Sequence, residues 1–354
     1  MHSSDEMYGA DRIVLDVVEA LTSWDVTVWL PAEARSSART LSDVLAERGV
    51  RVEHRELPII RRSILTPSGV FGLLRRTAAL SIELRRTKPA VVWCATSACL
   101  MAAPAARLAG LHRVVVHVQE MWVGLHGRGL RLLASWTTDR IAISRAVADS
   151  AALRGIVVVP NSVPRPSGDE VAATASATDD ALTFVVASRW NPWKGHATLI
   201  RAWSIAGEPG RLLVLGGQPA LGAGVDVPAL VRAEGVEATV DVVGEVDEIG
   251  PYLRAADVLV LPSDEPEPFG LVVLEALARG VPVVASDAGG PLEVLTDAVD
   301  GWFFTRRDAS DLARVLQSVD RQGVVAAGAA AVRTYESNFA PEQYARRISD
   351  VLGR

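Results

Sequence analysis

DVLVLPSDEPEPFGLVVLEALARGVPVVASD spans residues 257–287. It contains two short valine-rich apolar runs, DVLVLPS and VPVVASD, each of strand length. Between them, LVVLEALA reads as a helix that stops at Gly280. Strand, helix and strand in this order form one crossover unit of a parallel sheet. Pro266 and Pro268 keep 264–268 extended, because a residue before proline avoids the α region. The helix is therefore expected to begin near Phe269 or Gly270, with Leu271, Leu274 and Ala278 as its apolar stripe. Glu275 then sits among apolar neighbours. A buried carboxylate without partners costs several kcal/mol or shifts its pKa. Glu275 either faces solvent or is satisfied by a ligand such as a sugar, whose hydroxyls donate hydrogen bonds. Two earlier glutamates, Glu265 and Glu267, compete to be its partner.

The same alternation extends in both directions. Upstream, VTVWL (26–30), VRVEHREL (50–57), AVVWCA (90–95), RVVVHVQ (113–119), RIAIS (140–144) and GIVVVPN (155–161) read as strands, many of them separated by segments with helical spacing. Closer to the opening stretch lie LTFVVAS (182–188), RLLVLGG (211–217) and ATVDVVGE (238–245). The stretch PRPSGDEVAATASATDD (164–180) separates the two series and has the composition of a linker. The expectation is an α/β protein with two parallel-sheet domains, over 1–166 and 181–337, joined by a linker at 167–180. The first domain opens almost directly on a loop and helix. Either Met1-His2-Ser3 is the stub of its first strand, or that strand lies upstream.

The totals exclude several classes. A length of 354 residues suits two domains, and 49% hydrophobic residues suffice for their cores. A net charge of −6 offers no global basic field, so no nucleic-acid partner is expected. The only cysteines, Cys94 and Cys99, have neither metal-ligand nor disulfide-framework spacing, and a reduced, cytoplasmic setting is the plain reading. The start MHSSDEMYGAD is too polar for a signal peptide. The uncharged stretch between Lys88 and Arg107 reads as strand, turn and helix rather than a membrane span. No G-x-G-x-x-G follows a strand, and no P-loop, H-E-x-x-H or G-x-S-x-G occurs. With no D-x-D either, no metal and no cofactor is expected.

In open parallel sheets, ligands bind beyond the carboxyl ends of the strands. After TFVVAS, Arg189 and Lys194 flank a short loop, and a helix begins near Gly195. Two cations beside a helix N-terminus suit a phosphate or diphosphate, although two solvated loop charges would look the same. Gly289-Gly290, after another strand, reads as an ordinary tight turn.

With these residues in place, Glu267-Pro-Phe-Gly-Leu-Val-Val-Leu-Glu275 resembles the E-x7-E motif of the retaining glycosyltransferases of family 4, which have the GT-B fold. ASRWNPWKG, VVPNSV (158–163), AADVLVLPS, GVPVVASDAGGPLEVL and DGWFF (300–304) also resemble that family's segments, in its order. The resemblance covers most of the second domain strongly and the first weakly. It implies two Rossmann-like domains facing each other across a cleft, with a last helix (338–354) crossing back to the first. It implies transfer of a hexosyl-type unit from a nucleotide diphosphate sugar, with retention of configuration. By the same resemblance, Arg189 and Lys194 neutralise the diphosphate, Glu275 accepts from the ribose hydroxyls, and Glu267 orients the transferred sugar. The amides of Phe269, Gly270 and Leu271 cap the phosphates, and backbone near Val246 in VVGEV meets the base. The seven-residue interval selects Glu267 over Glu265. In the first domain, Gly9 matches a loop glycine near donor and acceptor. His117 and Glu120 match a histidine and acid on the acceptor side, although His117 also reads as a core residue.

The acceptor is expected to be a saccharide or a lipid-linked molecule, in the making of cell-envelope polysaccharide or glycoconjugate. Residues 57–86 carry three Arg-Arg pairs among apolar residues, which suits either a helix on an anionic membrane surface or one packed on the sheet with a solvated basic face. The membrane alternative would put the protein at the inner face of the membrane. A sugar-nucleotide epimerase of the same fold and a non-catalytic nucleotide-sugar-binding protein are the competing readings.

Overall fold

The structure, a computed structural model, describes residues 1–7, 9–32, 39–61, 66–166, 181–219 and 222–353. The linker expected at 167–180 lies outside them, as do residues 62–65 of the basic segment. The chain forms two compact units, Met1–Ser162 with Pro341–Arg354, and Val163–Ala340.

The first unit runs α1 (Gly9–Ala20), β1 (Thr27–Pro31), α2 (Leu41–Glu47), β2 (Arg51–Arg55), α3 (Pro67–Thr87), β3 (Val92–Cys94), α4 (Ala102–Leu108), β4 (Val114–Val118), α5 (Gly124–Ala134), β5 (Asp139–Ala142), α6 (Arg145–Ala151) and β6 (Ile156–Val158). Local chemistry sets the helix starts. Thr40 and Asp43 form a reciprocal capping box on α2, and Thr66 caps α3 with Pro67 in its first turn. All strand pairings are parallel, with β1 on β2 and, separately, β3-β4-β5-β6 in order. Every residue of β4 is buried, as expected of a parallel strand covered on both faces.

The second unit runs β7 (Leu182–Ala187), α7 (His196–Ile205), β8 (Gly210–Leu215), α8 (Val227–Glu234), β9 (Val240–Gly244), α9 (Gly250–Ala255), β10 (Val258–Leu261), α10 (Leu271–Leu277), β11 (Val283–Ser286), α11 (Pro291–Val294), β12 (Gly301–Phe304), α12 (Ala309–Ser318) and α13 (Arg321–Asn338). Its six strands stand in the order β12-β11-β10-β7-β8-β9, all parallel. The first strand is therefore central and the order reverses on either side of it, which is the switch point of a doubly wound sheet. Phe184, Trp203, Leu212, Val260 and Phe304 belong to the core beneath it. The last helix, α14 (Pro341–Leu352), belongs to the first unit, where Arg113 donates to the Leu352 carbonyl at 2.5 Å.

Two details of the sequence expectation change. β12 is a strand that the apolar-run pattern did not single out. The helix at the opening stretch starts at Leu271, later than expected, and buries Val273, Leu274, Ala276 and Leu277. Leu271 and Glu275, one turn apart, share its half-buried side.

Candidate active site

The loop leaving β7 carries Arg189 and Lys194. Pro192–Lys194 form a single tight turn that ends at Gly195, whose φ of 74° favours glycine. A Cβ at Gly195 would stand 1.8 Å from the Pro262 carbonyl oxygen, so only glycine lets this loop lie on the exit of β10. The Asp264 amide donates to the Trp193 carbonyl at 2.8 Å, and the Thr198 hydroxyl to the Asp264 carboxylate at 2.8 Å. The two strand exits are thus tied together.

This contact brings Lys194 and Glu267 together. Lys194 Nζ donates to Glu267 Oε2 at 2.8 Å, with side chains only 16% and 8% exposed. Ser263 Oγ donates to the same oxygen at 2.9 Å, and the Lys194 ammonium lies 4.1 Å from the centre of the Trp193 ring. The Glu267 backbone is gripped from β11: the Gly290 amide donates to the Glu267 carbonyl at 2.7 Å, and a Cβ at Gly289 would sit 2.2 Å from that oxygen. Burial, with the nearby Lys194 charge, lowers the His196 pKa to about 4 and keeps its ring neutral.

The structure separates the two early glutamates. Glu267 is buried, whereas Glu265 is exposed and lies 3.7 Å from Arg307. Arg189 is exposed on the β7 loop, and Val246 is half-buried just past β9. Phe269 is buried, and Gly270, at φ 86°, leads into Leu271 and α10. Ser263, Trp193 and the Gly289-Gly290 grip are parts of this cluster that the sequence did not identify. A serine just past a strand and a Gly-Gly pair after the next strand were the only hints.

In the first unit, His117 is enclosed inside β4. Neither ring nitrogen has a hydrogen-bond partner, its ring meets Trp93 edge-on at 5.8 Å, and burial lowers its pKa to about 3. It is enclosed as a core histidine would be, one residue before the end of β4. Glu120 does lie beyond the end of β4. Burial pushes its carboxyl up, partly offset by hydrogen bonds from Ser97 and the Gln119 amide. Gly9 is the exposed first residue of α1. Among the described residues, no group of three or more His, Cys, Asp or Glu side chains could hold a metal ion, and no helix is long and apolar enough to cross a membrane.

Residues 170–323 match the family model described as glycosyl transferases group 1. The D-inositol 3-phosphate glycosyltransferase of Saccharomonospora viridis is 34% identical over 203 residues, covering 52% of this chain and 45% of that protein. The phosphatidyl-myo-inositol mannosyltransferase of Mycobacterium leprae is 36% identical over 133 residues, covering 36% of each. The chain thus spans less than half the length of either relative. Among solved structures, Anabaena HepE in complex with UDP superposes with a TM-score of 0.81 at 21% identity, over 99% of this chain and 98% of that one. Sucrose-phosphate synthase from Thermosynechococcus elongatus gives 0.76 at 19% identity, over 99% and 97%. At such identities the likeness establishes the fold: two Rossmann-like α/β units of the GT-B type.

Proposed function

We propose that this chain, whose residues 170–323 match the glycosyl transferases group 1 family model, transfers a sugar from a nucleotide diphosphate sugar to an acceptor hydroxyl, with retention of anomeric configuration. The observation that carries this reading is the largely enclosed Lys194–Glu267 pair with Ser263, set where β7 and β10 end. A buried ion pair held by a third hydrogen bond is costly as mere packing, and a hydrophobic pair would often serve as well. It is useful where a charged, hydroxyl-rich ligand exchanges partners with it.

In this proposal Lys194 and Arg189 neutralise the donor diphosphate and the charge that grows on it as the glycosidic bond breaks. Glu267 accepts from hydroxyls of the transferred sugar and orients it. Glu275 accepts from the ribose, the amides of 269–271 meet the phosphates, and backbone near Val246 meets the base. The acceptor hydroxyl attacks from the face that the diphosphate leaves. Gly9 and Glu120 remain the acceptor-side candidates, and His117 is set aside as a core residue. No metal or cofactor is assigned a role.

A thermal-shift panel of UDP, GDP, ADP and their sugar conjugates tests the donor. A ligand that binds the folded state raises apparent stability by about 2.7 kcal/mol at a hundred times its Kd. One nucleotide series should raise Tm, and no shift with any would sink the proposal.

We further propose a saccharide or lipid-linked acceptor, in cell-envelope polysaccharide or glycoconjugate synthesis. For the lipid-linked case, exposed Val70, Phe71 and Leu74 on α3 beside Arg75 and Arg76 suit the surface of an anionic bilayer. Co-sedimentation with anionic liposomes should fall in R75E/R76E, and equal binding by both proteins would remove the membrane from the proposal.

A further inference from the structure

Asp264, the residue after Ser263, is held from three sides. Its amide donates to the Trp193 carbonyl at 2.8 Å, and its carboxylate accepts from the Thr198 hydroxyl at 2.8 Å. These contacts come from the turn that carries Lys194 and from the start of α7 behind it. The Asp264 carbonyl accepts from Arg307 Nε at 2.7 Å, and Arg306 Nη1 lies 3.5 Å from the same oxygen. Both arginines follow β12, two strands away from β10 in the sheet. There the Asp308 amide donates to the Thr305 carbonyl at 3.0 Å and closes a four-residue turn. The turn is braced on both sides. The Thr305 amide donates to the Asp311 carboxylate at 2.7 Å, and the Arg306 amide to the Asp287 carboxylate at 2.9 Å. Arg307 holds the third position of the turn at φ 66°, in the left-handed region where such a turn favours glycine. Glycine would sit there without strain, whereas arginine is strained there and supplies a guanidinium.

We infer that Arg307 is a positioning residue: it pins the Asp264 carbonyl and so fixes the path of 264–267, which brings the Glu267 carboxylate onto Lys194. Its consequence for catalysis rests on the transferase reading given above. The segment has few other joints to hold. Pro266 and Pro268 fix their own φ and restrict Glu265 and Glu267, which precede them. Glu267 is gripped through its carbonyl by the Gly290 amide at 2.7 Å. The peptide between Asp264 and Glu265 is the remaining joint, and its oxygen is the atom that Arg307 holds. Glu265, which has no place in the Lys194 pair, also meets Arg307 at 3.7 Å. With side chains 60% and 61% exposed, that ion pair contributes little. The bond to the carbonyl is the contact that sets the geometry, and Arg307 acts on the pair through Asp264.

The test uses the whole chain with R307G, R307N and R307K. Glycine and asparagine both tolerate a positive φ, so the turn is kept while the guanidinium is lost. R307N repeats the measurement if R307G folds poorly. Lysine keeps one cationic donor. Amide exchange reads the segment without any substrate. In R307G the Asp264 and Gly290 amides, bonded to the Trp193 and Glu267 carbonyls, should exchange roughly 10-fold faster through local opening. Tm should be equal or higher, because strain is relieved. R307K should return both amides towards the wild type. Donor cleavage without acceptor is followed with UDP-glucose, GDP-mannose and ADP-glucose. In R307G its kcat should fall by roughly 10- to 100-fold with KM unchanged, the scale of a misplaced reacting group. A raised KM at unchanged kcat would mean that Arg307 binds the donor itself, and overturns the inference. Faster exchange with kcat unchanged would leave Arg307 a structural residue only, and overturns it as well. Wild-type exchange at both amides in R307G and R307N does the same. If the wild type cleaves none of the three sugars, the fault lies with the transferase reading, and amide exchange still decides the role of Arg307.

Discussion

In the second unit the half-buried Lys194 ammonium meets the buried Glu267 carboxylate at 2.8 Å, with Ser263 on the same oxygen. The first unit holds a buried His2–Asp11 pair of its own, 2.8 Å apart, but there burial also falls on single groups. It pushes Asp16 up to about 7, against a weaker pull from the Ser162 hydroxyl, and His117 down to about 3. Both arrangements remove charge from water, but with opposite consequences. The pair sets a donor and an acceptor side by side, where a ligand can exchange partners with them. The single groups are pushed towards their neutral forms. A buried titratable residue is therefore a weak sign of function until its partner is known.

The largest test breaks the pair. K194A should lower turnover by roughly 100-fold or more, the usual scale for losing one transition-state contact. It should also destabilise the unit by about 3–5 kcal/mol, because Glu267 is left buried without its counter-ion. Adding E267Q should restore most of that stability without restoring turnover. Recovery of both together in K194A/E267Q would make the pair structural only. Steady-state kinetics and denaturant unfolding on the same three proteins decide this.

How much of this contrast can be read in the sequence depends on how local each contact is. Arg189, Lys194, Glu267 and Glu275 follow from strand ends and from one short interval, so the chain order carries them. Ser263 and Gly289 act through the meeting of three strand exits, which no single segment encodes. The four residues of β12 include a glycine and show too little periodicity to stand out. His117 is misplaced by the pleat. It is the penultimate residue of β4 and still inside the sheet, while Glu120, three residues on, has left it. The pattern VVVHVQE marks a strand but not the residue at which burial ends.

A smaller effect comes from Asp16, which faces Ser162, Glu19 and Tyr344, with Arg12 and Arg48 nearby. Its folded pKa of about 7 exceeds the ordinary 3.8. The folded state therefore holds a proton that the unfolded state has released, and stability is lost as pH rises from about 4 to about 7. D16N cannot ionise and should escape that loss. It should match the wild type near pH 4 and exceed it by roughly 2–4 kcal/mol at pH 8. Denaturant midpoints across that range measure the difference. A constant offset at every pH would mean that Asp16 is ionised in both states and that burial does not govern it.

The smallest expected change in activity sharpens the comparison from the other side. H117L replaces a ring whose two nitrogens are buried without partners by an apolar side chain. Turnover should stay within a few-fold of wild type, since the ring is enclosed in β4. Stability at pH 7 should be unchanged or slightly higher, because a desolvated polar group is removed at little cost in packing. The acid limb should differ more. The folded-state pKa of His117 is about 3 against an ordinary 6.5, so the unfolded chain takes up a proton first, and the wild type loses stability as pH falls from about 6.5 towards 3. H117L lacks that term, and its advantage should grow by about 1.4 kcal/mol per pH unit below 6.5. A collapse of turnover in H117L with the acid limb unchanged would place His117 beside Lys194 and Glu267 as a functional group, and the contrast between the two units would fail.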